Sequence, residues 1–238
     1  MNRACAVAAS AAVVVCSVWA RADVVDTFDN GVNQGTWRLT SNPDRLYVIE
    51  PSGGNPGPYL HGQVAAAVPT WYISEPAGNP YLGDLASGGY RSFSFDLNIS
   101  GGVQVPDRVL TMHVYTTLGT GDPPQGIEAY ELGQDISDYQ PGWNSYAYAM
   151  DAASQTIPAG WVVYEGNGSP GTDADWRNLM SHVENITMDL GQPGYAYPNL
   201  NIWDIGLDNV RLSTSPVPAP AGLGAFAAAG LVLRRRRR

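Results

Sequence analysis

Three histidines, at positions 61, 113 and 182, are the first residues to test for chemistry. None of them forms the H-x-x-x-H or H-E-x-x-H spacing that sets two zinc ligands on one helical face, so no zinc site is expected. The carboxylates offer one close pair, Glu128 and Glu131. Three apart on a strand or turn, they point to opposite faces and cannot be the facing acids of a glycosidase. Glu50 and Glu75 each precede a proline in a loop. There is no G-x-S-x-G elbow and no phosphate-binding G-x-x-x-x-G-K, which removes the common hydrolase and nucleotide motifs.

Oxygen ligands are better represented. Asp26 and Asp29 flank the end of the first expected strand, and Asp208 sits at an expected bulge in the last. Carboxylates beside a displaced backbone carbonyl suit a structural calcium ion. The same residues, in Asp29-Asn30-Gly31 and Asp208-Asn209, serve equally as turn and bulge formers through side-chain-to-backbone bonds. Aromatic rings on loops are the candidate ligand surface. Tyr139 and Trp143 bracket a Gln-Pro-Gly turn, and Tyr195 and Tyr197 lie in GQPGYAYPN. Such rings stack on the apolar face of a sugar.

The elements that must position these residues are mostly strands. Phe93, Phe95, Leu97 and Ile99 alternate with Ser92, Ser94, Asp96 and Asn98, a strand with one face in a core and one in water. Trp71-Tyr72-Ile73 precedes it, and the Pro- and Gly-rich segment from Glu75 to Gly89 reads as a long surface connection. Further strands are expected at 24–28, 35–39, 45–50, 59–61, 109–118, 143–150, 185–190 and 202–212, with Pro51–Pro58 as a loop. Helical spacing occurs once. Thr172-x-x-Asp175 is a capping box, and Trp176, Leu179, Met180 and Val183 fall on one face. About a dozen short strands and one short helix predict an all-β, antiparallel jelly-roll sandwich.

Both ends read as processing segments. Arg3, an apolar stretch from Cys5 to Ala20 and Ala20-Arg21-Ala22 form a secretory signal over residues 1–22. Both cysteines lie inside it and lysine is absent, so the mature chain is expected to use neither thiol nor lysine chemistry. Residues 23–216 hold all 22 acidic residues against six arginines, a net charge of −16. Such a chain is repelled by nucleic acid and anionic lipid. The segment 215–238 combines Pro216-Val217-Pro218-Ala219-Pro220, a thirteen-residue apolar run and Arg234 to Arg238. As a helix the apolar run spans ~20 Å, short of the ~30 Å hydrocarbon core. The segment resembles the PEP-CTERM sorting signals, although Val-Pro-Ala-Pro stands where that motif carries its glutamate. The resemblance implies transient membrane contact and processing by a protease of exosortase type.

The body, residues 23–214, resembles the laminin B (laminin IV) domain. The resemblance rests on Gly54-Asn55-Pro56-Gly57-Pro58-Tyr59-Leu60, Trp71-Tyr72, Tyr81-Leu82-Gly83-Asp84, Gly88-Gly89-Tyr90, Phe93–Leu97, Asp173–Met180 and Gly206-Leu207-Asp208-Asn209-Val210, in that order. It implies a galactose-binding-like jelly roll acting as a non-catalytic extracellular module. The expected function is export to the cell surface, outer membrane or matrix, with binding of polysaccharide or another surface component. The alternatives are a purely architectural matrix protein and a polysaccharide-active hydrolase or lyase.

Overall fold

A computed structural model describes residues 22–40, 47–74, 78–101, 108–119, 126–136, 142–195, 197 and 201–217. The processing segments and Tyr139 lie outside these residues, apart from Ala22 and the 215–217 stretch.

Among the described residues, twelve strands form two antiparallel sheets. The first sheet runs β3 (Val48–Gly54), β4 (Gly57–Ala66), β12 (Asn201–Ser213), β6 (Ser92–Gly101), β9 (Trp143–Ala149), with β1 (Val24–Asp26) also paired to β12. The second runs β10 (Trp161–Glu165), β8 (Ile127–Asp135), β7 (Val109–Thr116), β11 (Asn185–Leu190), β5 (Thr70–Ile73), β2 (Arg38–Thr40). This is the jelly-roll sandwich expected from the alternation. The inward phase of each strand makes one core: Phe93, Phe95 and Leu97 of β6 meet Leu110, Met112 and Val114 of β7 within one buried cluster. Burying such side chains contributes about 1.5–3 kcal/mol each, before chain entropy is subtracted.

The strand β12 organises the first sheet. Beside Leu207 it pairs with β4 through Leu60, and after Asp208 it pairs with β1 instead, Val210 opposite Asp26. Between these halves Asp208 faces Asp96 while Arg211 faces Ser94, so one extra residue is accommodated. That bulge, with Asn209 at φ 48°, returns Val210 and Leu212 to the core in phase. At the end of the pair, Asp23 Oδ1 accepts from Ser213 Oγ (3.0 Å) and Thr214 N (2.9 Å), and Arg211 donates to Asp23 Oδ2. The Arg211 hydrogen bond does most to hold the Asp23 carboxyl down at about 2.

Two expectations change. Pro51–Pro58 is no loop: β3 runs through to Gly54 and β4 starts at Gly57, with a turn at Asn55-Pro56 whose peptide bond is cis. Composition named the turn correctly and overstated its length. Nor is 75–89 simply a surface connection. Tyr81, Leu82 and Leu85 are buried, and Leu85–Gly88 forms a one-turn helix, α1, capped by Asp84 and ended by Gly89 at φ 68°. The Tyr81 hydroxyl donates to Val210 O at 2.8 Å, which fixes this segment across the core. The expected helix is α2, Asp173–Ser181, and its capping box is complete: Thr172 N donates to Asp175 Oδ2 at 2.8 Å and Asp175 N to Thr172 Oγ1 at 3.4 Å. Trp176 of α2 packs against Trp161 of β10, ring centroids 5.3 Å apart.

Candidate functional site

The outward phase of the second sheet carries aromatic rings where solvent-facing strands usually carry charges. Reading across the strands, Tyr164 of β10 stands opposite Glu128 of β8, and Glu128 opposite Tyr115 of β7. In the next row Tyr130 of β8 stands opposite His113 of β7. The rings of Tyr130 and Tyr164 are nearly parallel, 13° apart with centroids at 6.0 Å. With Tyr115, Glu128 and Glu165 they line a groove of about 450 Å³, whose other walls are the Gly126 and Gly166–Gly168 turns and Pro193-Gly194. The turn at Gly126 lets a ring in: a Cβ there would stand 2.6 Å from the Tyr115 hydroxyl oxygen.

The groove is held by its polar groups. His113 Nδ1 lies 2.6 Å from Glu128 Oε1, and Nε2 lies 3.3 Å from Asp189 Oδ2. Burial works to lower the His113 pKa, but the hydrogen bonds to Asp189 and Glu128 outweigh it and raise the imidazole to about 9. At neutral pH it is therefore an imidazolium, paired with Glu128, which stands between two tyrosines in its cross-strand row. Glu165 Oε2 accepts from Asn167 Nδ2 at 3.1 Å. Burial, then the hydrogen bond to Tyr164, raises the Tyr130 hydroxyl, so this phenol stays neutral.

Acid–base chemistry does not converge here. Glu131, pushed up to about 7 by burial, is the carboxyl best tuned as a general acid. It projects to the opposite side of β8, near Gly160 and Tyr148. Glu128 and Glu131 do point apart, as their spacing predicted.

Of the residues named from sequence, Tyr195 and Tyr197 come together, Trp143 stands apart from them, and Tyr139 lies outside the described residues. Trp143 lies on the outer face of the other sheet, its ring edge-on to Tyr59 and its Nε1 donating to Gly53 O at 2.8 Å. Tyr195 is exposed and adjoins the Pro193-Gly194 wall, with its ring 4.6 Å from that of Tyr197. Tyr197 is only 7% exposed, and the Arg108 guanidinium sits 4.0 Å above its ring. Tyr115, Tyr130 and Tyr164 were missed. Their signal was in the chain, since each occupies the outward phase of a short strand, where an aromatic side chain has no core to fill.

For calcium, the three aspartates split. Asp26 lies on the inner face, fully buried, and accepts from Gly35 N at 3.0 Å and Phe28 N at 3.4 Å, so its oxygens serve the backbone. Asp208 and Asp29 are close enough for the charge of Asp29 to help raise the Asp208 pKa, after burial and Asp96. Around Gly54 oxygens converge: the point a Cβ would take has Asp208 Oδ2, Gly57 O and Pro58 O each at 2.7 Å. A Cβ on Gly57 would meet Asp29 Oδ1 at 2.8 Å. Among the described residues no three His, Cys, Asp or Glu side chains group closely enough to hold a metal. Asp29 and Asp208 lie beside those carbonyls, hard oxygens of the kind that would suit a calcium ion, but the Asp208 oxygens also serve the backbone, accepting from Asn55 N and Asn209 N, each at 2.7 Å.

No protein-family model matches the chain, and no curated protein does. Solved structures do resemble it. The family 11 carbohydrate-binding module of the cellulosomal cellulase Lic26A-Cel5E of Clostridium thermocellum aligns over 84% of this chain and 98% of its own, at 11% identity and a TM-score of 0.44. The L4b domain of human laminin alpha-2 aligns over 81% and 98%, at 11% identity and a TM-score of 0.42. A family 30 carbohydrate-binding module of the cellulosomal cellulase Cel9D-Cel44B of Clostridium thermocellum aligns over 74% and 85%, at 13% identity and 0.41. Among the described residues no helix is long and apolar enough to cross a membrane.

Proposed function

We propose that this chain is an exported, non-catalytic glycan-binding protein of the cell surface or extracellular matrix, and that polysaccharide lies in the groove on the second sheet. The observation that carries the reading is the parallel pair Tyr130 and Tyr164 in a groove that also presents Glu128 and Glu165. Flat rings accept the C–H face of a sugar, while carboxylates accept hydrogen bonds from its hydroxyls. The groove is preformed by strands, so little ordering cost attaches to these contacts. Each stacked ring is worth about 1 kcal/mol beyond area burial, which gives micromolar-to-millimolar affinity for a short oligosaccharide. Export rests on the leader at residues 1–22. The segment 215–238 provides the transient membrane contact and the site for an exosortase-type protease.

The test is titration of the protein with matrix polysaccharides and their oligomers, using Tyr130→Ala and Tyr164→Ala. Each variant should keep the fold by circular dichroism and lose about tenfold in affinity. Undiminished binding in both would move the site elsewhere. Release of reducing ends or unsaturated sugars would make the protein an enzyme.

A further inference from the structure

We infer that the groove selects a glycan bearing free amino groups, an unacetylated amino sugar, over neutral and uronic-acid glycans. The inference rests on the glycan-binding reading and adds the chemical class of the sugar.

Among the described residues the groove wall presents two carboxylates, Glu128 and Glu165, and no arginine. Lysine is absent from the whole chain. Glu128 is set between Tyr164 and Tyr115 in the same cross-strand row. That juxtaposition suits an ammonium group, which is attracted by the carboxylate and by the electron-rich faces of the flanking rings together. A neutral sugar uses only part of it, because hydroxyls draw nothing extra from ring quadrupoles.

His113 offsets one charge, being 2.6 Å from Glu128. It stands under the groove beside Tyr130, with Asp189 on its far side. Glu184 also lies along this sheet, accepting from Thr117 N and Oγ1. Counting these neighbours leaves the surface negative, on a body, residues 23–216, whose acidic residues outnumber its arginines by sixteen. A uronic-acid polymer is repelled by that field, and a polyamine sugar is drawn in by it.

The experiment is calorimetric titration of the full chain with four probes of matched length: a β-1,4-linked glucosamine hexamer, its fully N-acetylated counterpart, a galacturonic acid hexamer and hexalysine. The glucosamine hexamer should bind about tenfold tighter than the acetylated one, and added salt should erode the difference. Glu165→Gln should narrow that ratio, and Tyr164→Ala should weaken both sugars. Equal affinity for the two hexosamine hexamers overturns the inference and leaves glycan binding standing. Tightest binding of the galacturonic acid hexamer also overturns it. Hexalysine binding as tightly as the glucosamine hexamer replaces the sugar with a generic polycation. No binding of any sugar overturns the glycan reading itself, and this inference with it.

Discussion

The ring of Trp143 meets that of Tyr59 edge to face, centroids 5.2 Å apart at 83°, directly above Gly206. A Cβ on Gly206 would come within 2.8 Å of Trp143 Cη2 and 2.9 Å of Tyr59 Cδ2. The pair is a clasp across the outer face of the first sheet, reaching from β9 over β12 to β4 and, through Gly53, to β3. Gly206→Ala should force the rings apart and cost about 1–3 kcal/mol, a drop of several degrees in Tm. Trp143→Ala should also lower Tm. Since Trp143 is on the sheet opposite the groove, the same variant should leave glycan affinity within about twofold. A large loss of affinity there would transfer the binding site to Trp143.

Glu131 makes stability fall on the alkaline side. Its Oε2 is buried without a hydrogen-bond partner, and burial raises its pKa to about 7. The folded state holds the proton more tightly than the unfolded one. The resulting stabilisation is complete below the ordinary carboxyl range near 4.5 and is lost as pH rises through about 7. Glu131→Gln should flatten the fall in Tm between these values. At pH 8 it should be more stable than the parent by about 1 kcal/mol, after solvent screening of this half-exposed group. Parallel pH–Tm curves for the two proteins would contradict the assignment.

Arg108 fastens the loop that walls the groove. It is 2% exposed, lies between the rings of Tyr197 (4.0 Å) and Trp203 (4.7 Å), and donates to the carbonyls of Leu190 and Ala67. Burial lowers its pKa, yet a guanidinium remains charged at any working pH. Arg108→Met keeps much of the volume and loses the two donors and the cation. It should cost about 2–3 kcal/mol. Amide exchange at Gln192, whose N–H donates to the Tyr197 hydroxyl, should accelerate. Unchanged protection at Gln192 would show that the loop is held by other contacts.

Calcium is carried forward as a proposal with a narrower ligand set. Asp29 and Asp208, with the carbonyls of Gly57 and Pro58, are the oxygens beside the β3–β4 turn. If they bind the ion only in the folded state, calcium at a hundred times its Kd raises stability by about 2.7 kcal/mol. The melting shift should vanish in Asp208→Ala and in Asp29→Ala, and persist in Asp26→Asn on its own lower baseline. Identical melting in calcium and in EDTA would remove the ion from the account.

Much of the fold was legible because its signals are local. The alternation at 92–99 and 185–190, the Thr172 box and the phase slip near Asp208 each depend on residues within one element, and each is found where expected. Two strands, Ile127–Asp135 and Trp161–Glu165, are not among those expected from sequence, since Glu131 and Tyr164 interrupt a simple apolar pattern. Those same strands supply Tyr130, Glu128 and Tyr164. The groove was therefore hidden by the feature that makes it a candidate site: outward aromatics blur the two-residue period. Proximity in sequence, as in Tyr195-Ala196-Tyr197, could not reveal that one ring is exposed and the next packed under Arg108. That contact joins residues far apart in the chain.

The bond between Asp23 and the end of β12 has a mechanical meaning. Val24 faces Leu212, so the chain enters and leaves the sandwich at a single corner, about 5 Å apart. The exit strand, however, is no edge strand. It is thirteen residues long and bonded along its length to β4, β6 and β1. A pull applied at Thr214 runs along β12 and loads its ladders in shear, so many hydrogen bonds share the force instead of opening one after another. A force-clamp measurement from the C-terminal end of β12 should therefore meet more resistance than one that peels the three-residue β1 from its neighbour.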